Sequence, residues 1–110
     1  MSITLSEVRA HAIALPEVTE EPHHERLSLR VRGKIFATFE PGGDHLHLFV
    51  SEEVRERALA DSKSACEVLL WGKKVAGLRM NLQRTDASRA RQLLTEAWFH
   101  KAPKSLRPPT

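Results

Sequence analysis

The sequence predicts an α+β fold: a two-layer sandwich in which three helices cover one face of an antiparallel five-stranded sheet, in the order α-β-β-β-α-β-β-α. Three observations predict it. Apolar and polar residues alternate with period two in Arg26–Arg32, His45–Val50 and Val75–Gln83, the signature of half-buried strands. Short turns at Gly33, at Pro41-Gly42-Gly43-Asp44 and at Trp71-Gly72-Lys73-Lys74 join neighbouring strands, and connections that short link antiparallel partners. Three segments have apolar residues at helical spacing behind a capping residue, and they supply the second layer.

Each element has its own signal. Thr4-Leu5-Ser6-Glu7 is a capping box, and Leu5, Val8, Ala12 and Leu15 follow at helical spacing until Pro16 stops the helix. Glu17–Glu25 is polar, carries Pro22 and reads as a connecting loop. In the next strand Leu27, Leu29 and Val31 face one way and Arg26, Ser28, Arg30 and Arg32 the other. Gly33 turns the chain into a partner strand from Lys34 to about Glu40, because glycine enters positive φ without steric cost. His45-Leu46-His47-Leu48-Phe49-Val50 is the third strand. Ser51 caps a helix over Glu52–Ala60, with Glu52 and Glu53 in the first turn, where the helix dipole favours acids. Cys66–Leu70 is a short apolar strand, and Val75–Gln83 returns with Leu78, Met80 and Leu82 opposite Arg79, Asn81 and Gln83. Asp86 caps the last helix, whose stripe is Ala87, Ala90, Leu94, Ala97 and Trp98.

The 110 residues make one domain, residues 1–100, followed by a basic, proline-rich tail over 101–110 that reads as frayed. Lys and Arg number 17 against 14 Asp and Glu, for a net charge of +3, so the placement of the charges matters more than their sum. A single cysteine, Cys66, rules out an intramolecular disulfide and reads as a small buried hydrophobe in a reducing compartment. The N-terminal residues lack the basic and apolar regions of a signal peptide, and no apolar run reaches the roughly 20 residues that span a bilayer. The expectation is a cytoplasmic protein with no membrane partner.

Three amphipathic helices cover only one sheet face well, so the other face is expected to be partly open. Alternation collects Arg26, Ser28, Arg30, Arg32, His45, His47, Arg79, Asn81 and Gln83 there, without a carboxylate among them. Both hairpin tips, Arg32-Gly33-Lys34 and Gly72-Lys73-Lys74, are basic. Guanidinium and ammonium groups bind phosphate oxygens, and a two-stranded ribbon fits a major groove. Arg and Lys are also good solvated surface residues, and the same positions have that plainer reading. His45-x-His47 has a spacing compatible with a metal, but zinc needs further ligands that only His23, His24 or Asp44 could supply, so surface histidines are expected and no metal. No nucleophile–base pair, phosphate loop or zinc-protease motif occurs, and neither an enzymatic role nor a cofactor is expected. Trp98 lies on a helix stripe and reads as core. Trp71, beside a turn glycine, reads as a lid over the core, the alternative being an exposed stacking platform.

Ala12-Ile13-Ala14-Leu15-Pro16-Glu17-Val18-Thr19-Glu20-Glu21-Pro22-His23 and Leu29-Arg30-Val31-Arg32-Gly33-Lys34-Ile35-Phe36-Ala37 resemble the MmcQ/YjbR family, as do Leu94-Thr95-Glu96-Ala97-Trp98 and Ala102-Pro103-Lys104-Ser105-Leu106. The resemblance runs from about Val8 to Leu106. It implies an α+β domain shaped like secretion chaperones and frataxin-like proteins, with a double-wing DNA-binding motif. Carried onto this chain, the wings are the hairpins around Gly33 and Gly72, and the nucleic-acid contacts are Arg30, Arg32, Lys34, Lys73, Lys74 and Arg79. The chain departs from the family pattern at His24-Glu25-Arg26, at Leu29 and at Ala76-Gly77. These departures remove stacking aromatics from the open face and argue against sequence-specific or single-strand recognition. The function expected is non-specific binding of double-stranded DNA through phosphates. A protein-binding or chaperone-like module, monomeric or weakly dimeric, is the alternative.

Overall fold

Helix α1 (Leu5–Ile13) starts where the sequence places it: Thr4 Oγ1 accepts from the Glu7 amide at 3.2 Å, while Glu7 Oε1 accepts from the Thr4 amide at 3.1 Å. These reciprocal bonds satisfy two of the amides that a helix start leaves without partners. Ser51 Oγ caps α2 (Glu52–Asp61) by accepting from Val54 N, and Asp86 caps α3 (Ala87–Lys101) by accepting from Ser88 N. The strands are β1 (Val18–His23), β2 (Arg26–Val31), β3 (Lys34–Phe39), β4 (His45–Leu48), β5 (Cys66–Trp71) and β6 (Lys74–Asn81), and a 3-10 turn covers Lys104–Leu106. This computed structural model describes residues 3–23, 26–40, 42, 44–61 and 65–106.

The sheet is antiparallel throughout, with strand order β1-β2-β3-β4-β6-β5. It has six strands rather than the five expected. The extra one is β1, which pairs with β2 from Val18↔Val31 to His23↔Arg26 in the segment that reads as a loop. Two glutamates and Pro22 hide its strand character. As an edge strand it tolerates them, because one side of its backbone needs no ladder partner and charge there blocks further pairing. Val18 and Glu20 lie on the helix-covered side, where Arg9 of α1 reaches Glu20 at 2.7 Å.

The core fills the space between the helices and one sheet face. Leu29, Val31, Ala37, Leu46, Leu48, Leu78 and Met80 from the strands meet Val8, Ala12, Leu94 and Trp98 from the helices. Trp98, core as expected, donates Nε1–H to the Pro16 carbonyl at 3.1 Å and so ties α3 to the loop after α1. Bulges at Leu29/Arg30 and Leu69/Leu70 interrupt the alternation, and at the first of them Phe36 turns fully into the core. At Gly77 a Cβ would sit 2.2 Å from the Leu48 carbonyl oxygen, so only glycine lets β6 approach β4 this closely. The segment after α3 is anchored as far as Leu106, with Ala102 buried and Leu106 packed on the core. His24, Glu25, Pro41, Gly43 and residues 107–110, which the sequence reading assigns to turns and tail, lie outside the described residues. No helix among the described residues is long and apolar enough to cross a membrane.

Candidate nucleic-acid interface

The topology puts both basic hairpin tips at the same end of the sheet. Antiparallel alternation makes β2, β4 and β5 run together, so the β2–β3 turn, the end of β4 and the β5–β6 turn share one edge. The first tip is a two-residue loop in which Arg32 (φ 47°) and Gly33 (φ 83°) both take the positive φ of a type I′ turn. In the second, Gly72 has φ 64°, as the first central position of a type II′ turn requires. The tips are separated by the width of β4, whose continuation, Phe49, lies between them.

The six candidate cations divide. Arg32 is held by Glu17, which precedes β1 at the same end, through Nε at 3.1 Å and Nη2 at 2.9 Å. Hydrogen bonding from that guanidinium lowers the Glu17 carboxyl below its ordinary value. Arg79 is clamped between Glu40 and Glu67. Arg30 donates Nε–H to Ser28 Oγ at 3.2 Å. Among the described residues no ion pair engages Lys34, Lys73 or Lys74, and all three are exposed.

The expectation of an open face without carboxylates is corrected by the far half of that face. Ser28, Thr38, His47, Arg79 and Glu67 lie opposite one another on successive strands and form one row across the sheet, with Glu40 beside it. Glu40 takes Arg79 Nε at 2.5 Å and Nη2 at 3.0 Å, and His47 Nε2 lies 2.5 Å from its Oε2. Arg26 Nη1 lies 3.2 Å from His47 Nδ1. Arginine only donates, so Nδ1 accepts and the proton sits on Nε2, which donates to Glu40. His47 is therefore neutral. Burial, opposed by Glu40, pushes its pKa below the ordinary histidine value, and hydrogen bonding from Arg79 holds the Glu40 carboxyl at about 2. Glu40 and Glu67 escape the sequence reading because neither occupies an alternating position on the three strands it used.

His47 is 6 % exposed, not a surface histidine, and its two ring nitrogens are taken by Glu40 and Arg26. Among the described residues no group of three or more His, Cys, Asp or Glu gathers at metal-binding distance, and the His23 and His24 side chains lie outside those residues. Cys66 is buried, and burial raises its thiol pKa, so it sits in the core as an un-ionised apolar side chain.

The half of the open face nearest the tips is apolar. Phe49 and Leu69 are buried yet stand apart from the core cluster, and the Trp71 ring meets Phe49 edge-on, with centroids 5.3 Å apart. Trp71 itself is 61 % exposed; it is a surface platform and not a lid over the core. Aromatics are thus present on this face, supplied by Phe49 and Trp71 rather than by the strand positions the family pattern would use. A cleft of about 280 Å³ opens between the tips, lined by Ile35, Phe49, Trp71, Lys74, Val75 and Lys101, with Thr38 and Ala76 completing it.

The family model described as YjbR matches residues 13–100. The crystal structure of Deinococcus radiodurans protein DR2400, a DUF419 domain, superposes with a TM-score of 0.77 at 20% identity, covering 94% of this chain and 85% of that one, and so shares the fold. No curated protein matches the sequence.

Proposed function

This chain belongs to the YjbR family, and from that premise we propose that it binds nucleic acid without sequence specificity, through phosphate contacts at its two hairpin tips. The observation that carries this reading is the shared edge: Lys34 on one tip and Lys73 and Lys74 on the other are exposed, free of ion pairs among the described residues, and placed on either side of β4. Point charges on flexible stems suit phosphates presented at variable angles. Arg30 assists from β2, the first strand of the Gly33 hairpin. Arg32 and Arg79 are structural in this reading, because each already neutralises a carboxylate. Titration of random-sequence DNA at about 50 mM salt tests it. Binding weaker than about 100 μM there, below what non-specific binders achieve, defeats it.

A second reading, a protein-docking module, is favoured by the outer edge of the sheet. β5 carries Leu70 and Trp71, 55 % and 61 % exposed, with neither proline nor lysine in the strand. Edges of that kind template pairing with another strand. The opposite edge, β1, is guarded by Glu20, Glu21 and Pro22.

A further inference from the structure

We infer that the cleft between the two tips takes an unpaired base, so that the preferred ligand is single-stranded rather than duplex nucleic acid. This rests on the phosphate reading above and specifies its ligand.

The cleft combines two chemistries that a nucleotide also combines. Its walls are apolar and aromatic: Ile35 from β3, Phe49 after β4, and Trp71 and Val75 from the β5–β6 hairpin. Its cations come from separate elements, Lys74 from the hairpin and Lys101 from the last turn of α3, and no carboxylate is among the described residues that line it. Lys34 flanks Ile35 on one side and Lys73 precedes Lys74 on the other. The volume of about 280 Å³ falls just under the roughly 300–1,000 Å³ typical of drug-sized sites, which suits one ring system.

Trp71 determines the choice between strand forms. Phe49 engages the indole edge-on and braces it, leaving 61 % of the residue open to solvent. A base in a duplex has both faces covered by its neighbours, whereas an unpaired base can lay a face on the indole. Stacking of this sort is indifferent to base identity, in keeping with a site that offers few directed hydrogen-bond groups. In the salt-bridged half of the face, from Glu67 to Arg26, two arginines balance two glutamates, so it offers phosphates no net attraction and the uncompensated lysines stand at the tip end.

The experiment is a fluorescence titration of the full chain at about 50 mM salt with a deoxythymidine 12-mer and, separately, a mixed-sequence 12-base-pair duplex. Trp98 is buried, so ligand-dependent quenching reports Trp71. The single strand is expected to quench and to bind about tenfold tighter than the duplex; with variant affinities read from the anisotropy of end-labelled oligonucleotides, Trp71→Ala is expected to lose about tenfold on the single strand and little on the duplex, and Trp71→Phe to keep most of the affinity. Equal or tighter duplex binding, with Trp71→Ala changing neither ligand, overturns the inference and leaves the phosphate reading standing. Failure of both oligonucleotides to bind at about 100 μM overturns both. An oligoglutamate peptide binding more tightly than the single strand overturns the inference in favour of an acidic protein partner.

Discussion

Arg79 on β6 holds Glu40, 39 positions earlier at the end of β3, in a two-pronged pair of 2.5 and 3.0 Å, and a third nitrogen of the same guanidinium reaches Glu67. A planar fork that fits one carboxylate on two atoms and still donates to a second is a geometry only arginine offers. The pair closes the salt-bridged half of the open face.

Removing one member of that pair leaves a mostly covered charge without its partner. Arg79→Ala is expected to cost about 1–3 kcal/mol, less than a fully buried pair would, because Arg79 keeps a third of its side chain in water. Urea unfolding measures it. The same substitution is expected to leave affinity for random DNA nearly unchanged, and a large loss of binding without loss of stability would show that Arg79 is a contact residue after all.

Acid should unfold the protein earlier than its charge balance suggests. Glu40 has a folded pKa of about 2, below its ordinary value of 4.5, so between these pH values the unfolded chain binds the extra proton. The stabilisation is complete above the ordinary value and is lost as pH falls toward about 2. His47 and His11, both lowered by burial, act with the same sign: their contributions are complete above 6.5 and decline as pH falls below it. Thermal unfolding between pH 8 and pH 3 should show stability falling monotonically. In Glu40→Gln the lower part of that fall, below about pH 5, should flatten.

The lysines and the arginines of the tips should separate in salt titrations. Lys34→Ala, Lys73→Ala and Lys74→Ala are each expected to reduce the slope of log affinity for duplex DNA against log salt by about 0.9, the value for one lost phosphate contact. Arg32→Ala, whose guanidinium is spent on Glu17, is expected to change it much less. Equal slopes for all four variants would remove the distinction between free and paired cations.

At Gly77 an added methyl has nowhere to go. A Cβ there lies 2.2 Å from the Leu48 carbonyl oxygen and 3.3 Å from Phe49 Cα, backbone atoms of the last residue of β4 and of the residue that follows it. Gly77→Ala is expected to destabilise by about 3 kcal/mol, at the upper end of overpacking costs. Denaturant unfolding checks this, and a near-neutral result would mean that β4 and β6 can part locally without loss.

The exposed edge strand should respond to a gatekeeper charge. Leu70→Lys is expected to lower concentration-dependent association, read by light scattering, while leaving the unfolding free energy within about 0.5 kcal/mol, as for other exposed sites. Unchanged association would weaken the protein-docking reading and leave the nucleic-acid reading untouched.

Much of this molecule follows from local rules that the sequence states directly. The capping box at Thr4, the caps at Ser51 and Asp86, the Gly33 and Gly72 turns and the alternation of Leu27, Leu29 and Val31 depend on neighbours within a few residues, so helices, hairpins and the core face were all legible. β1 was not, because a guarded edge strand trades hydrophobic alternation for charge and proline, and those residues read as loop. The site divides along the same line. That Lys34, Lys73 and Lys74 crown hairpin tips is local; that the tips share an edge depends on β4 lying between β3 and β6. Likewise Arg79 looked like a free cation while only its own strand was considered, and the strand order delivered Glu40 from one side and Glu67 from the other. Phe49 and Trp71 meet for the same reason. Sequence fixes which way a side chain points along its own strand, whereas the partners across a sheet are set by long-range pairing, and that tertiary pairing decided which cations are free and where an aromatic platform stands.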